Sequence, residues 1–167
     1  VKDNGPPKSI SRCRSFGATR TKSDVWAHLL QHVNYSVLKM RKQSLAARGV
    51  SVWLRDSTYH HHGLQLRLPQ AFDTEESITP YVRTCFDRVY SSRTAYTQVG
   101  FGLWDLRERG SEQFSLSVKP TDAIREQSLQ ASLDKLRTQF GRDVVVRGSA
   151  LSTAHRRNGY LNISLYE

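Results

Sequence analysis

Long apolar runs are missing from this 167-residue chain. No stretch approaches the ~18 residues a membrane-spanning helix needs, and no signal peptide is visible, so no membrane partner is expected. Cysteine is scarce: Cys13 and Cys85 are the only two. Such a count excludes a disulfide framework and suits two reduced core thiols in a cytoplasmic protein. Met40 is the single methionine, so Val1 is not a natural start and a longer parent protein is expected. The marks of common chemistry are also missing. There is no P-loop, no HExxH and no G-x-S-x-G elbow. Carboxylates are scattered, with no pair at the ends of adjacent predicted strands as two-metal chemistry requires. His60, His61 and His62 are consecutive; strand alternation would point them to opposite faces, so a turn or hairpin lip fits better than a metal site. No catalytic residue, metal ligand or cofactor is expected in this chain.

Basic charge, by contrast, is plentiful. The net charge is +10, and it is unevenly placed. Residues 1–56 hold 11 Lys/Arg against 3 Asp/Glu, whereas residues 57–167 hold 14 against 12. An excess confined to one part of a fold can gather on one surface, as polyanion-binding sites require. Charge also serves solubility, so this alone does not decide for nucleic acid.

Residues 1–7, with Gly5, Pro6 and Pro7, read as a linker. Lys8–Phe16 reads as a strand with small residues at Ser9, Ser11 and Ser15. Ser23 is a candidate helix cap with Asp24 in the first turn. Val25, Leu29, Val33, Val37 and Met40 then recur at helical spacing, predicting a helix to near Ala47, broken by Gly49. Val50, Val52 and Leu54 alternate with Ser51, Trp53 and Arg55, predicting a strand. A turn at 56–60 leads to a second strand with Leu64, Leu66 and Leu68, ended by Pro69. Thr79-Pro80 suits a helix start, with Thr74 an alternative one turn earlier. Ile78, Val82, Phe86 and Val89 form that helix's stripe. A fourth strand covers YTQVGFGLWDL.

The order βαββαβ predicts an α+β fold: a four-stranded antiparallel sheet with two helices on one face. A helix–strand extension follows. It has Leu129, Leu133, Leu136 and Phe140 on one helix stripe, a stop at Gly141, and a short strand at Val144–Val146. Residues 8–107 would form the domain, 108–122 a connection and 123–167 the extension. With aliphatic residues inward, the open sheet face carries Ser9, Ser11, Trp53, Arg55, Gln65, Arg67, Gln98, Gly100, Gly102 and Trp104. Phosphates approach closely over serines and glycines, where hydroxyls and N–H groups can donate. Strict alternation puts Arg12 and Arg14 beside Ile10 and Phe16, so either the strand bulges or these arginines snorkel from its ends.

VGFGLWDL is similar to an RNA-recognition RNP1 segment. It falls on the fourth predicted strand rather than the third, lacks an aromatic partner on the first strand, and turns Phe101 inward. Three other stretches carry a broader resemblance. KSISRCRSFG resembles the opening of the little finger domain of bacterial Y-family (translesion) DNA polymerases, of the ImpB/MucB/SamB type. TQVGFGLWDL resembles that domain's last strand, and LQASLDKLRTQFGRDVVVRGSAL the tail that follows it.

The resemblance implies DNA binding without chemistry in this chain. It implies contact with a primer–template duplex by Ser9, Ser11, Arg12, Arg67, Thr97 and Gln98. Arg14, Arg55 and Gln65 join them from the reading of charge and strand faces. Tyr96, Thr97 and Gln98 stand where the family often has basic residues, so hydrogen bonding is expected to replace charge there. The parent would be a cytoplasmic, Mg2+-dependent polymerase acting in lesion bypass, DNA repair and the SOS response, with its carboxylates in a palm domain. Gln113, Phe114, Ser115 and Leu116 resemble a sliding-clamp peptide without its final aromatic. A clamp-docking interaction module and an RNA-recognition-type single-strand binder are the alternatives.

Overall fold

A computed structural model describes residues 7–109, 120–141, 144, 145 and 148. Four strands, β1 (Ser9–Thr19), β2 (Leu45–Asp56), β3 (His61–Phe72) and β4 (Tyr96–Glu108), form one antiparallel sheet in the order β1-β4-β2-β3. Helices α1 (Lys22–Lys42) and α2 (Glu75–Val89) pack on one side of it. Helix α3 (Pro120–Phe140) follows. The predicted βαββαβ order and the α+β class are both present.

The core lies between the sheet and the two helices. Val25, Leu29, Val33, Val37 and Met40 of α1 are fully buried, as are Ile78, Val82 and Phe86 of α2. They meet Val50, Val52, Leu54, Val99, Phe101 and Leu103 from the two central strands. Each such side chain contributes about 1.5–3 kcal/mol when removed from water.

Local chemistry moves several element boundaries. Helix α1 stops at Lys42, not near Ala47. Ser44 takes a left-handed φ of 55°, its N–H capping the Arg41 carbonyl at 3.0 Å. Leu45, Ala46 and Ala47 are then free to pair with Glu108, Arg107 and Leu106. At the other end Thr21, rather than Ser23, occupies the cap position. Helix α2 starts at the earlier of its two candidates: Thr74 Oγ1 accepts from the Ser77 N–H at 3.2 Å, which leaves Pro80 inside the helix.

Pro69 does not end β3. The register jumps from Gly49↔Arg67 to Ala47↔Phe72, so Pro69 sits in a bulge on an edge strand, where its missing N–H costs no ladder bond. The 56–60 turn closes on Asp56, whose Oδ1 accepts from the Thr58 and His60 N–H groups at 2.8 and 2.9 Å. Val144 and Val145 form a bend instead of the predicted strand, and Val146 lies outside the described residues.

Helix α3 contradicts the usual reading of an apolar stripe. Leu129, Leu136 and Phe140 are 55%, 41% and 62% exposed. The docked face is the polar one, Gln130–Asp134–Arg137. Arg137 and Glu75 form a 2.7 Å ion pair that is almost wholly buried, and Arg41 bridges Asp134 at 2.6 Å and Asp73 at 2.8 Å.

Candidate nucleic-acid interface

The side of the sheet away from α1 and α2 is crossed by four rows of directly paired residues. Reading from β3 through β2 and β4 to β1, the first row is Arg67, Gly49, Trp104 and Ser9. The second is Gln65, Ser51, Gly102 and Ser11. The third is Gly63, Trp53, Gly100 and Cys13. The fourth is His61, Arg55, Gln98 and Ser15. Paired residues share a face, so Ser9, Ser11, Arg55, Gln65, Arg67 and Gln98 occupy one surface. The pairing adds Gly49, Ser51, Gly63, Cys13, Ser15 and His61 to the predicted members of that face.

The surface has polar ends and a low middle. Ser51 Oγ donates to the Gly102 carbonyl at 3.4 Å, and Ser11 stands on the other side of that glycine. At one end, Arg55 Nη2 and Gln98 Nε2 each donate to Ser15 Oγ at 3.4 Å. The Arg55 guanidinium also lies 5.3 Å from the Tyr59 ring centroid. At the other end, Asp105 pairs with Arg67 Nη2 at 3.3 Å and with Arg107 Nε at 2.9 Å. Asp105 holds a left-handed φ of 51°, which aspartate tolerates better than most residues.

Three predicted contacts lie elsewhere. Arg12 pairs with Phe101 and Arg14 with Val99, both core residues, so the strand keeps strict alternation and the two arginines belong to the helix side. Arg12 rests on the Tyr35 ring of α1, 4.0 Å from its centroid, a cation–π contact at the sheet edge. Thr97 is the unpaired residue of a bulge between Gln98 and Tyr96, and its hydroxyl donates to the Asp56 carbonyl at 3.1 Å. Phe101, the inward aromatic of the RNP1-like segment, is fully buried. Gln113, Phe114, Ser115 and Leu116 lie outside the described residues.

The cysteines differ from the two-core-thiol expectation. Cys85 is buried, and that burial pushes its thiol up to about 11. Cys13 is exposed on the open face. The histidines of the hairpin lip disperse as alternation requires: His62 Nε2 lies 3.0 Å from Asp56 Oδ2, and His61 stands opposite Arg55. The His62 hydrogen bond, then that of Thr58, holds the Asp56 carboxyl well below the usual range. Among the described residues, no group of three or more His, Cys, Asp or Glu could hold a metal ion, and no helix is long and apolar enough to cross a membrane.

A four-stranded antiparallel sheet with two helices behind it and an open, serine- and glycine-lined front is the little finger fold of Y-family DNA polymerases. The chain belongs to the impB/mucB/samB family, whose C-terminal domain matches residues 7–116. Among solved structures it is similar to the insertion ternary complex of Dbh DNA polymerase (TM-score 0.53, 10% identity), covering 60% of this chain and 29% of that one. It is similar also to a Y-family polymerase chimera of Dbh and Dpo4 (TM-score 0.51, 11% identity, 64% and 31% covered). A third likeness is to DinB from Sulfolobus solfataricus (TM-score 0.50, 10% identity, 57% and 28% covered). The chain thus spans less than a third of the length of each of these three polymerases. No curated protein sequence matches it.

Proposed function

We propose that the open sheet face grips the backbone of primer–template DNA without sequence preference, within a translesion DNA polymerase whose nucleotidyl transfer and Mg2+ belong to other domains. The observation that carries this reading is the four-row register. It sets Gln65, Ser51, Gly102 and Ser11 in one row between the rows that carry Arg67 and Arg55, so phosphates can approach the Ser11 hydroxyl while Arg55 and Arg67 supply charge. One further group supports it: Arg55 Nε is shielded yet has no partner among the described residues, as a surface completed by a ligand would show. The RNA-recognition alternative loses its main aromatic, since Phe101 packs against the helices.

The test uses the exposed Cys13 thiol as a reporter, with buried Cys85 silent. Saturating duplex of any sequence should slow maleimide labelling of Cys13 several-fold. Log K against log[salt] should slope roughly −3 to −4 if about four phosphates are neutralised. Unprotected Cys13, or a slope near zero, would sink the proposal.

A further inference from the structure

The two tryptophans of the open face are arranged as a matched pair. Trp53 of β2 stands opposite Gly100 of β4, and Trp104 of β4 stands opposite Gly49 of β2. A methyl group added at Gly100 would overlap Trp53 Cε2, Cζ2 and Nε1; one added at Gly49 would overlap Trp104 Cε2, Cδ2 and Cζ2. In each case the nearest atoms straddle the ring fusion. The indole therefore lies flat over the neighbouring strand, with one face on the glycine backbone. The other face turns outward, and both residues remain partly exposed. Glycine is required at both places because any side chain would lift the ring.

Flat, fixed indoles with a free outer face are what a nucleobase stacks on, whatever its sequence. Bases inside a duplex are already stacked and offer no face to them. The rings are attached four residues apart along the strands, roughly 13 Å at strand rise. An extended single strand, advancing up to about twice the ~3.4 Å duplex rise per nucleotide, covers that span in about two nucleotides.

We propose that Trp53 and Trp104 are stacking platforms for unpaired bases of single-stranded DNA, alternate bases meeting successive rings. This rests on the reading that the open face meets DNA, and it adds a base-dependent grip on template strand beside the phosphate-dependent grip on duplex.

The experiment compares a thymidine oligonucleotide, its abasic counterpart of equal length, and a blunt duplex, all against the whole 167-residue chain. The variants are Trp53→Leu and Trp104→Leu, which keep an apolar cover on the glycine but no flat face, and the phenylalanine equivalents. Thermal unfolding confirms that each is folded. Each leucine variant should bind the thymidine strand about tenfold more weakly, with abasic-strand and duplex affinities unchanged and with phenylalanine restoring most of the loss. Equal affinity of the parent chain for thymidine and abasic strands would overturn the platforms, as would leucine variants that bind like the parent. Salt-sensitive duplex binding that survives in that case preserves the wider reading; loss of Cys13 protection by every DNA removes both.

Discussion

His32 sits at the seam between α1 and β1 and is 3% exposed, and its Nε2 has no partner among the described residues. Burial lowers its pKa to about 4, and the charges of Arg12, His28 and Arg14 add to the effect. An unfolded chain takes up this proton near pH 6.5, whereas the folded one resists until about pH 4. Stability from this residue is therefore complete above about pH 6.5 and is lost as pH falls toward 4. The loss reaches up to about 3 kcal/mol. Asp56, whose pKa is depressed, contributes stability above its ordinary range near 4 that fades only at lower pH, so the two windows separate. Denaturant midpoints between pH 7 and 4 should fall in the parent and stay flatter in His32→Gln. An equally steep fall in the variant would assign the acid sensitivity elsewhere.

Helix α3 is held by charge rather than by apolar packing. Its Arg137 side chain is 2% exposed and that of its partner, Glu75, is 6% exposed. A buried pair contributes little over an apolar replacement, but breaking one costs about 3–5 kcal/mol because a charge is left unsolvated. Arg137→Ala should therefore release α3 without dissolving the sheet. Hydrogen exchange over residues 125–140 is expected to accelerate on the order of a hundredfold, while amides of β2 and β4 keep their protection. Uniform acceleration across both would show α3 to be integral to the core. The periodicity of Leu129, Leu133, Leu136 and Phe140 made the helix legible but pointed to the wrong docking face. Helical spacing tells which side is apolar; which side meets the domain depends on Arg41 and Glu75, brought there from α1 and α2.

Across the whole molecule, the +10 charge acts through where its arginines stand. Arg55 and Arg67 occupy the open face, and Arg12 and Arg14 lie behind it. Asp105 ties up Arg67 and Arg107 at one end of that face. Asp105→Asn keeps a residue that tolerates positive φ and removes the local carboxylate. It should tighten duplex binding severalfold and steepen the salt slope by up to about one. Arg67→Ala should weaken binding alike on unrelated sequences, with Arg12→Ala weaker in effect. Titrations at several salt concentrations settle the order; a tighter Arg12 dependence than Arg67 would move the contact surface to the sheet edge.

Most of the sheet was legible because strand side chains alternate with period two. Val50, Val52, Leu54 and the aliphatic residues of β4 announce which face is buried, and the serines, glycines and arginines between them announce the other. That same periodicity already placed Arg12 and Arg14 with Ile10; continuous pairing from Ser9 to Ser15 chose alternation over a bulge. The sequence by itself determined the element order, the core face and the basic, small-residue character of the open one, since these follow from local spacing and composition. Only the tertiary structure decided the register, which sets Trp53 on Gly100 and Trp104 on Gly49, and the docking of α3 on its polar side. Those pairings join residues distant in the chain, and their energies depend on neighbours that no local window contains.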